Sequence, residues 1–278
     1  MTSFDMTSPW LKGIAAAGVA GLALTACGSD DESADESGLS LVSAGTLQVC
    51  SDLPYAPFEY IDEDGNEVGF DIDIAQAIAD DLDLELEIVQ TGFEGIQSGV
   101  ALNANQCDLA ISGMTITEER AGNMLFSDPY LDDNLAVLTR EDTGITTLED
   151  LEGFDGTVGA QADTTGSVEA QERGLELREY TDSGLLLQGL ESGQIEAAFG
   201  NISILAYQAA QSDDLFFVDE IETGEQLGIA AELENQELID EVNRVLAELE
   251  ESGELDELEQ LWFHSDETPD EADDEGDD

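Results

Sequence analysis

The chain has 278 residues, 67 acidic against 6 basic for a formal net charge of −61, and is 41% hydrophobic. That is enough for one large or two medium domains with real cores, and it excludes a collagen, a coiled coil and a disulfide-rich miniprotein. The charge speaks against nucleic-acid binding, since a phosphate backbone would be repelled, and the periodic apolar blocks speak against wholesale disorder.

Residues 1–26 read as an export signal, with Lys12 in a weakly positive start and a small, apolar stretch from Gly13 to Ala26 that is too short to span a bilayer comfortably. Leu24-Thr25-Ala26-Cys27 resembles the bacterial lipobox, so Cys27 is expected to carry a lipid that fixes the protein to the outer face of a membrane. Residues 27–44 are rich in Ser, Asp, Glu and Gly and read as a flexible acidic linker, and residues 265–278 as a disordered acidic tail. Losing residues 1–26 removes one acid, Asp5, and one base, Lys12, so the charge of −61 is unchanged and no lysine remains. A carboxylate-coated surface of this kind is tolerable where salt screens it. The Debye length falls from about 10 Å at 0.1 M to about 3 Å at 1 M. A salty or alkaline habitat is expected.

Thr46 to Cys50 reads as a strand. Phe58 to Ile61 and Val68 to Phe70 read as a hairpin around Asp64-Gly65-Asn66. Its Asp62-Glu63-Asp64-Gly65 segment lacks the spacing of a calcium loop. Ile74, Ala75, Ile78 and Ala79 form a helical stripe. Leu84 to Val89 follows as a strand, Phe93 to Ala104 as one helix and Asp108 to Ser112 as a short buried strand, before a loop and helix start at Met114–Arg120. This alternation predicts a parallel sheet with both faces covered. The pattern then restarts. Strands are expected at 135–139, 156–160, 175–180, 195–199 and 226–231, with helices at 148–151, from Thr164, and at 183–192, 202–211, 235–252 and 255–263. Two α/β blocks with a helical return suggest two lobes, and ligands of open α/β sheets lie beyond the C-terminal ends of the strands.

Several segments, in their order and spacing, carry a resemblance. They are Asp52-Leu53-Pro54-Tyr55-Ala56-Pro57-Phe58-Glu59-Tyr60, Gly69-Phe70-Asp71-Ile72-Asp73-Ile74-Ala75, Ser112-Gly113-Met114-Thr115-Ile116-Thr117-Glu118-Glu119-Arg120, Phe126-Ser127-Asp128-Pro129-Tyr130 and Ala162-Asp163-Thr164-Thr165-Gly166. Across 45–264 the chain resembles the polar amino-acid-binding proteins of bacterial ABC importers, extracellular solute-binding protein family 3. The resemblance implies an α/β fold of the type II periplasmic-binding-protein kind, two lobes joined by two hinge strands and closing on a ligand. Lobe 1 would be 45–133 plus 227–264 and lobe 2 134–226, with hinges near Asp133–Leu135 and Gly224–Leu227. It also implies capture of a polar amino acid as the small-molecule ligand, delivery to the permease subunits, and no catalysis. A monomer is expected.

Arg120 is the first candidate, because a planar fork of donors matches a ligand carboxylate. Ser112, Gly113 and Thr115 form the loop before its helix, where Gly113 allows close approach and free amides would attract the same carboxylate. Thr164 and Thr165 match positions that clasp it from the other lobe, with N-capping as the plainer role for them. Tyr55 and Phe93 match positions that sandwich the ligand side chain, whereas Phe58 reads as core. Asp52 would lie at the cleft mouth, as a contact for a basic side chain or as a loop cap. Asn201 stands where the family usually has an aspartate for the α-ammonium, so it keeps an acceptor and loses the charge. Asp163, where relatives usually carry Gly or Ser, is expected to supply that charge instead. The alternative is an amino-acid-like compatible solute without a free ammonium.

A dehydratase on the same fold is the enzymatic alternative, with Glu59 or Asp163 as acid or base. His264 is the only histidine and sits beside the acidic tail, so neither a zinc site nor a Ser-His-Asp triad is expected. No cofactor motif occurs. Cys50 would end one strand and Cys107 begin a parallel one, which places them at opposite ends of the sheet and predicts two reduced cysteines.

Overall fold

The structure is a computed structural model that describes residues 38–212 and 214–263. The export signal, Cys27, His264 and the acidic tail lie outside the described residues. Strand β1 (Thr46–Ser51) turns Leu47 and Val49 into the core. β2 (Tyr60–Ile61) and β3 (Glu67–Val68) pair antiparallel as the small hairpin. Helix α1 (Phe70–Asp81) buries Phe70, Ile74 and Ile78 along one face. β4 (Glu85–Gln90) runs parallel to β1. The single helix expected over 93–104 is two, α2 (Phe93–Gln97) and α3 (Val100–Asn103). Gly99 lies between them at φ 75°, a left-handed backbone that glycine adopts freely and a helix cannot run through. β5 (Leu109–Ala110), α4 (Glu118–Ala121) and β6 (Leu125–Phe126) complete the first run.

β7 (Leu131–Arg140) passes into the second lobe. There follow β8 (Thr157–Gln161), α5 (Thr165–Glu172), β9 (Glu176–Tyr180), α6 (Ser183–Glu191), β10 (Ala197–Asn201) and α7 (Ile202–Ala210). β11 (Leu215–Leu227) returns the chain to lobe 1, where β12 (Ala230–Ala231), α8 (Gln236–Ser252) and α9 (Glu254–Phe263) close it. The sheet orders are β4-β1-β5-β12-β6 and β11-β7-β10-β8-β9. Only β4-β1-β5 and β10-β8-β9 are parallel. The strands at the lobe crossings, β6, β7, β11 and β12, pair antiparallel, so each sheet is mixed rather than parallel throughout.

β7 and β11 pair from Leu131↔Leu227 to Leu215↔Arg140, with register breaks between Phe217 and Asp219 and between Ile221 and Glu225. They are the two strands that join the lobes. Most of β11 is absent from the sequence expectation. It is an edge strand, and Asp219, Glu220, Glu222 and Glu225 mask its apolar alternation while guarding its open edge. The strand expected over 226–231 is interrupted at Gly228 and Ile229. In lobe 1, α8 buries Leu238, Ile239, Val242, Val245, Leu246 and Leu249, each worth about 1.5–3 kcal/mol. The Trp262 indole of α9 donates to Asp73 at 2.7 Å.

Cys50 and Cys107 form a disulfide, which overturns the expectation of two reduced thiols. β5 is only two residues long and pairs with Val49 and Cys50, so Cys107 is not in the strand. It sits in the turn that descends from α3, on the sheet face that also carries Cys50, and the two Cα atoms are 5.7 Å apart. Placing the cysteines by strand ends ignored that turn.

Candidate functional site

The lobe 1 wall of the cleft lies beyond the C-terminal ends of β1 and β5. The Ser112 hydroxyl donates to the Glu59 carboxyl and accepts the Asp52 N–H at 3.2 Å. Asp71 accepts the Gly113 N–H at 2.7 Å and the Tyr130 hydroxyl at 2.9 Å. Glu59 and Asp71 are fully buried. Burial, and then the neighbouring Asp71 charge, holds Glu59 well above the usual carboxylate range, and burial pushes Asp71 up to about 7. Oε2 of Glu59 has no donor in reach among the described residues. A hydrogen bond between the two carboxyls needs a proton on one of them, and with the proton on Glu59 it favours the Asp71 carboxylate.

The amide of Gly113, expected to be free for a ligand, is thus engaged by Asp71. The glycine serves close approach: at φ 46° a Cβ would fall 2.8 Å from Tyr55 Cε1. Tyr55 stacks on the buried Phe58 at 5.8 Å between ring centroids. Burial and the nearby Asp133 and Glu59 charges raise the Tyr55 phenol, which therefore stays a hydroxyl donor.

Thr117 caps α4 by accepting the Arg120 N–H at 3.2 Å, which fixes the stem of Arg120. The residue is 5% exposed. Its Nη1 donates to the Thr115 carbonyl at 2.8 Å, and its Nη2 crosses to the Asp163 carbonyl at 3.0 Å. It lies 5.2 Å from the centre of the Phe93 ring. Arg140, Arg173 and Arg244 each hold a carboxylate, but among the described residues none lies within 4 Å of Arg120. Burial lowers the Arg120 pKa, and the charge of Glu225 is the first effect opposing that.

The lobe 2 wall is built at the ends of β8 and β10. Gln161 donates through Nε2 to Asp52 at 2.7 Å, while its buried Oε1 has no donor among the described residues. Burial raises Asp52 to about 6 against the pull of that hydrogen bond. Asn201 Oδ1 accepts the Tyr55 hydroxyl at 3.5 Å, and its buried Nδ2 has no acceptor among the described residues. Thr164 caps α5 by accepting the Ser167 N–H at 3.2 Å. Ser183 donates to the Pro54 carbonyl at 2.7 Å. Thr115 and Thr165, from opposite lobes, both donate to Oε2 of Glu225 at 2.8 Å. The cleft is closed by these contacts.

The expected residues fall into two neighbouring groups. Asp52, Tyr55, Phe93, Ser112 and Thr164 line, with Gln161, a tight seam between the lobes. Tyr55, Thr164 and Asn201 line a second with Gln161 and Ser183, a cavity of only about 20 Å³. Arg120, Asp163, Thr164 and Thr165 border an adjoining groove with Glu225. Asp163 is exposed at φ 64°, and it is its carbonyl, not its carboxylate, that meets Arg120. Gln161, Ser183 and Glu225 were not anticipated. Gln161 had a signal, because it ends a parallel strand where the ligand edge of such a sheet lies.

Two α/β lobes, two connecting strands and a polar interlobe seam around a buried arginine define a cleft-type solute-binding protein. The match to the bacterial extracellular solute-binding proteins, family 3, spans residues 47–265, and the chain belongs to that family. It is 34% identical over 260 residues to the arginine-binding extracellular protein ArtP of Bacillus subtilis, covering 91% of this chain and 97% of that one. Among solved structures, a mutant of ArgBP from T. maritima superposes with a TM-score of 0.74 at 37% identity, covering 80% of this chain and 96% of that one. The ancestral amino acid-binding protein AncCDT-1, a precursor of cyclohexadienyl dehydratase, has a TM-score of 0.74 at 35% identity, covering 79% and 96%.

Proposed function

We propose that this chain is the substrate-binding subunit of an ABC importer, held outside the cell membrane by a lipid on Cys27, and that it captures a polar amino acid and delivers it to the permease. The observation that carries the reading is Arg120, a buried cation whose guanidinium meets two backbone carbonyls and no carboxylate within 4 Å among the described residues. A ligand carboxylate completes it bidentately. Tyr55 and Phe93 then flank the ligand side chain, and Thr115, Thr164 and Thr165 surround its carboxylate. Asp52 and the unpaired Oε1 of Gln161 offer acceptors to its far end. Those acceptors suit a cationic side chain, and arginine, the ligand in the name of the Bacillus relative, is the first candidate. Lobe 2 (134–226) closes on lobe 1 (45–133 with 227–264) about Asp133–Leu135 and Gly224–Leu227.

One observation favours a second reading. Asn201 brings an uncharged amide, its Nδ2 without a bonded acceptor among the described residues, to the place expected for the ammonium, which suits a compatible solute without a free ammonium, although the buried Asp133 beside it keeps a carboxylate near that place. The dehydratase reading has no such support, since Glu59 is shut beneath Ser112 and Asp163 is exposed.

Thermal unfolding of the purified chain in high salt, against the common amino acids, ectoine and betaine, tests the proposal. A ligand at a hundred times its Kd adds about 2.7 kcal/mol of stability. A shift with basic amino acids alone supports import of those. A shift with ectoine or betaine alone moves the reading to compatible solutes, and no shift with any compound overturns it.

A further inference from the structure

We propose that Glu225 is an internal competitor for the carboxylate seat of the cleft: its own carboxylate latches the lobes together, and the ligand carboxylate must displace it. The inference rests on the reading above, in which Arg120, Thr115 and Thr165 receive that carboxylate.

One oxygen, Oε2 of Glu225, accepts from Thr115 of lobe 1 and from Thr165 of lobe 2, each at 2.8 Å. Two hydroxyls converging on one anion, with a buried guanidinium beside them, is the donor set an amino-acid carboxylate requires. Glu225 lines the same groove as Arg120 and Thr165, and its charge leads those that oppose the effect of burial on Arg120. A second anion beside it would meet its charge at close range, which weakens binding there until Glu225 moves away. The latch can also be released. Glu225 stands on β11 where its pairing with β7 resumes after the register break, and the neighbouring Gly224, at φ 67°, gives that segment a backbone freedom other residues lack.

Two consequences follow. The lobes close without ligand through a contact that imitates it, and the apparent affinity is lowered by the fraction of molecules in which the seat is taken. Ligands that bring no carboxylate leave the latch in place.

The test is calorimetric titration of L-arginine and of the twenty-amino-acid panel into the purified chain and its Glu225→Ala and Glu225→Gln variants, with solution X-ray scattering of each unliganded protein. Glu225→Ala should bind the ligand about tenfold more tightly, and its unliganded radius of gyration should rise. Glu225→Gln, which keeps an acceptor for the threonines and loses the charge, should show a smaller gain. Unchanged affinity or an unchanged radius overturns the inference and leaves the amino-acid reading standing. Weaker binding overturns it too and makes Glu225 a partner of the ligand ammonium. If no amino acid binds any of the three proteins, the reading of the site falls and the latch falls with it.

Discussion

On the lobe 1 wall the Ser112–Gly113 loop and the stem of Arg120 are held from below, whereas on the lobe 2 wall Gln161 and Asn201 arrive half satisfied. Asp71 and Glu59 grip Gly113 and Ser112, Thr117 fixes the stem of Arg120, and a disulfide staples β1 to the turn before β5. Across the seam, Gln161 and Asn201 each bury a polar atom with no partner among the described residues, and Asn201 makes no cap for α7. A prepared surface loses little freedom on binding, and an unsatisfied one gains the missing hydrogen bonds when a ligand arrives. On the proposed reading, once Glu225 has released the lobes, ligand settles on lobe 1 first and lobe 2 closes over it.

The largest effect should come from removing the staple. The disulfide closes a loop of 57 residues, which by chain entropy is worth about 4 kcal/mol. Denaturant unfolding of the Cys50→Ser, Cys107→Ser double variant should show that loss. A loss below about 1 kcal/mol would mean that the Glu59–Asp71 network alone makes lobe 1 rigid. Next comes Arg120→Ala, expected to cost about 3 kcal/mol of ligand binding, or roughly two decades in Kd by calorimetry. Unchanged affinity would take the carboxylate away from the lobe 1 wall and undo the proposed order of closure.

The buried acids supply a pH test of the same wall. Burial raises Asp52 and Asp133 to about 6 and Asp71 to about 7, and it holds Glu59 well above the ordinary carboxylate range. As pH climbs above the ordinary carboxylate range near 4, the unfolded chain gives up these protons first. The folded state then holds more protons, so stability falls with rising pH until the raised values are passed. Unfolding midpoints measured from pH 4 to 8 at fixed salt should therefore decline through that window. Glu59→Gln, which holds the neutral form permanently, should flatten the decline. A curve of the same slope in the variant would show that the proton does not reside on Glu59. The smaller counterpart on lobe 2 is Thr164→Ala, which removes the cap of α5 and should cost about 1 kcal/mol of stability.

The same contrast explains what the sequence made legible. Ser112, Thr115 and Arg120 lie within nine positions of one another, so a single run exposes the loop, the cap and the cation of lobe 1. Most of the helices and strands were visible for a similar reason, since periodicity is local. Glu225 was not, because its meaning depends on Thr115 and Thr165, which are 110 and 60 residues away. It also sits in an acidic edge strand that reads as solvated surface. Cys50 and Cys107 failed for a related reason. Strand ends could be placed from hydropathy, but the turn that folds Cys107 back beneath the sheet could not. The buried pair of Glu59 and Asp71 lay inside recognisable segments, yet only the fold shows that both point under the Ser112–Gly113 loop.

Asp163 is where the sequence expectation and the geometry part most sharply, and it carries the smallest expected effect. The position was read as the source of a missing negative charge. In the structure its carboxylate is exposed, and the backbone there is left-handed at φ 64°, a conformation that glycine occupies at least cost and that Asp and Asn tolerate. What the site uses is the carbonyl, which accepts Arg120 from across the seam and depends on that backbone turn. Asp163→Asn keeps the turn and removes the charge, so ligand affinity should change less than twofold. Asp163→Gly should bind equally well and unfold no more easily, because it relieves the left-handed strain. Asp163→Val, branched at Cβ in a backbone that punishes branching, should weaken binding although it too removes only one charge. Isothermal titration of the three variants separates the two roles. Loss of affinity in the Asn variant would restore the carboxylate to the site, while loss in the Val variant alone assigns the position to the carbonyl and makes lobe 2 contribute to Arg120 through its backbone.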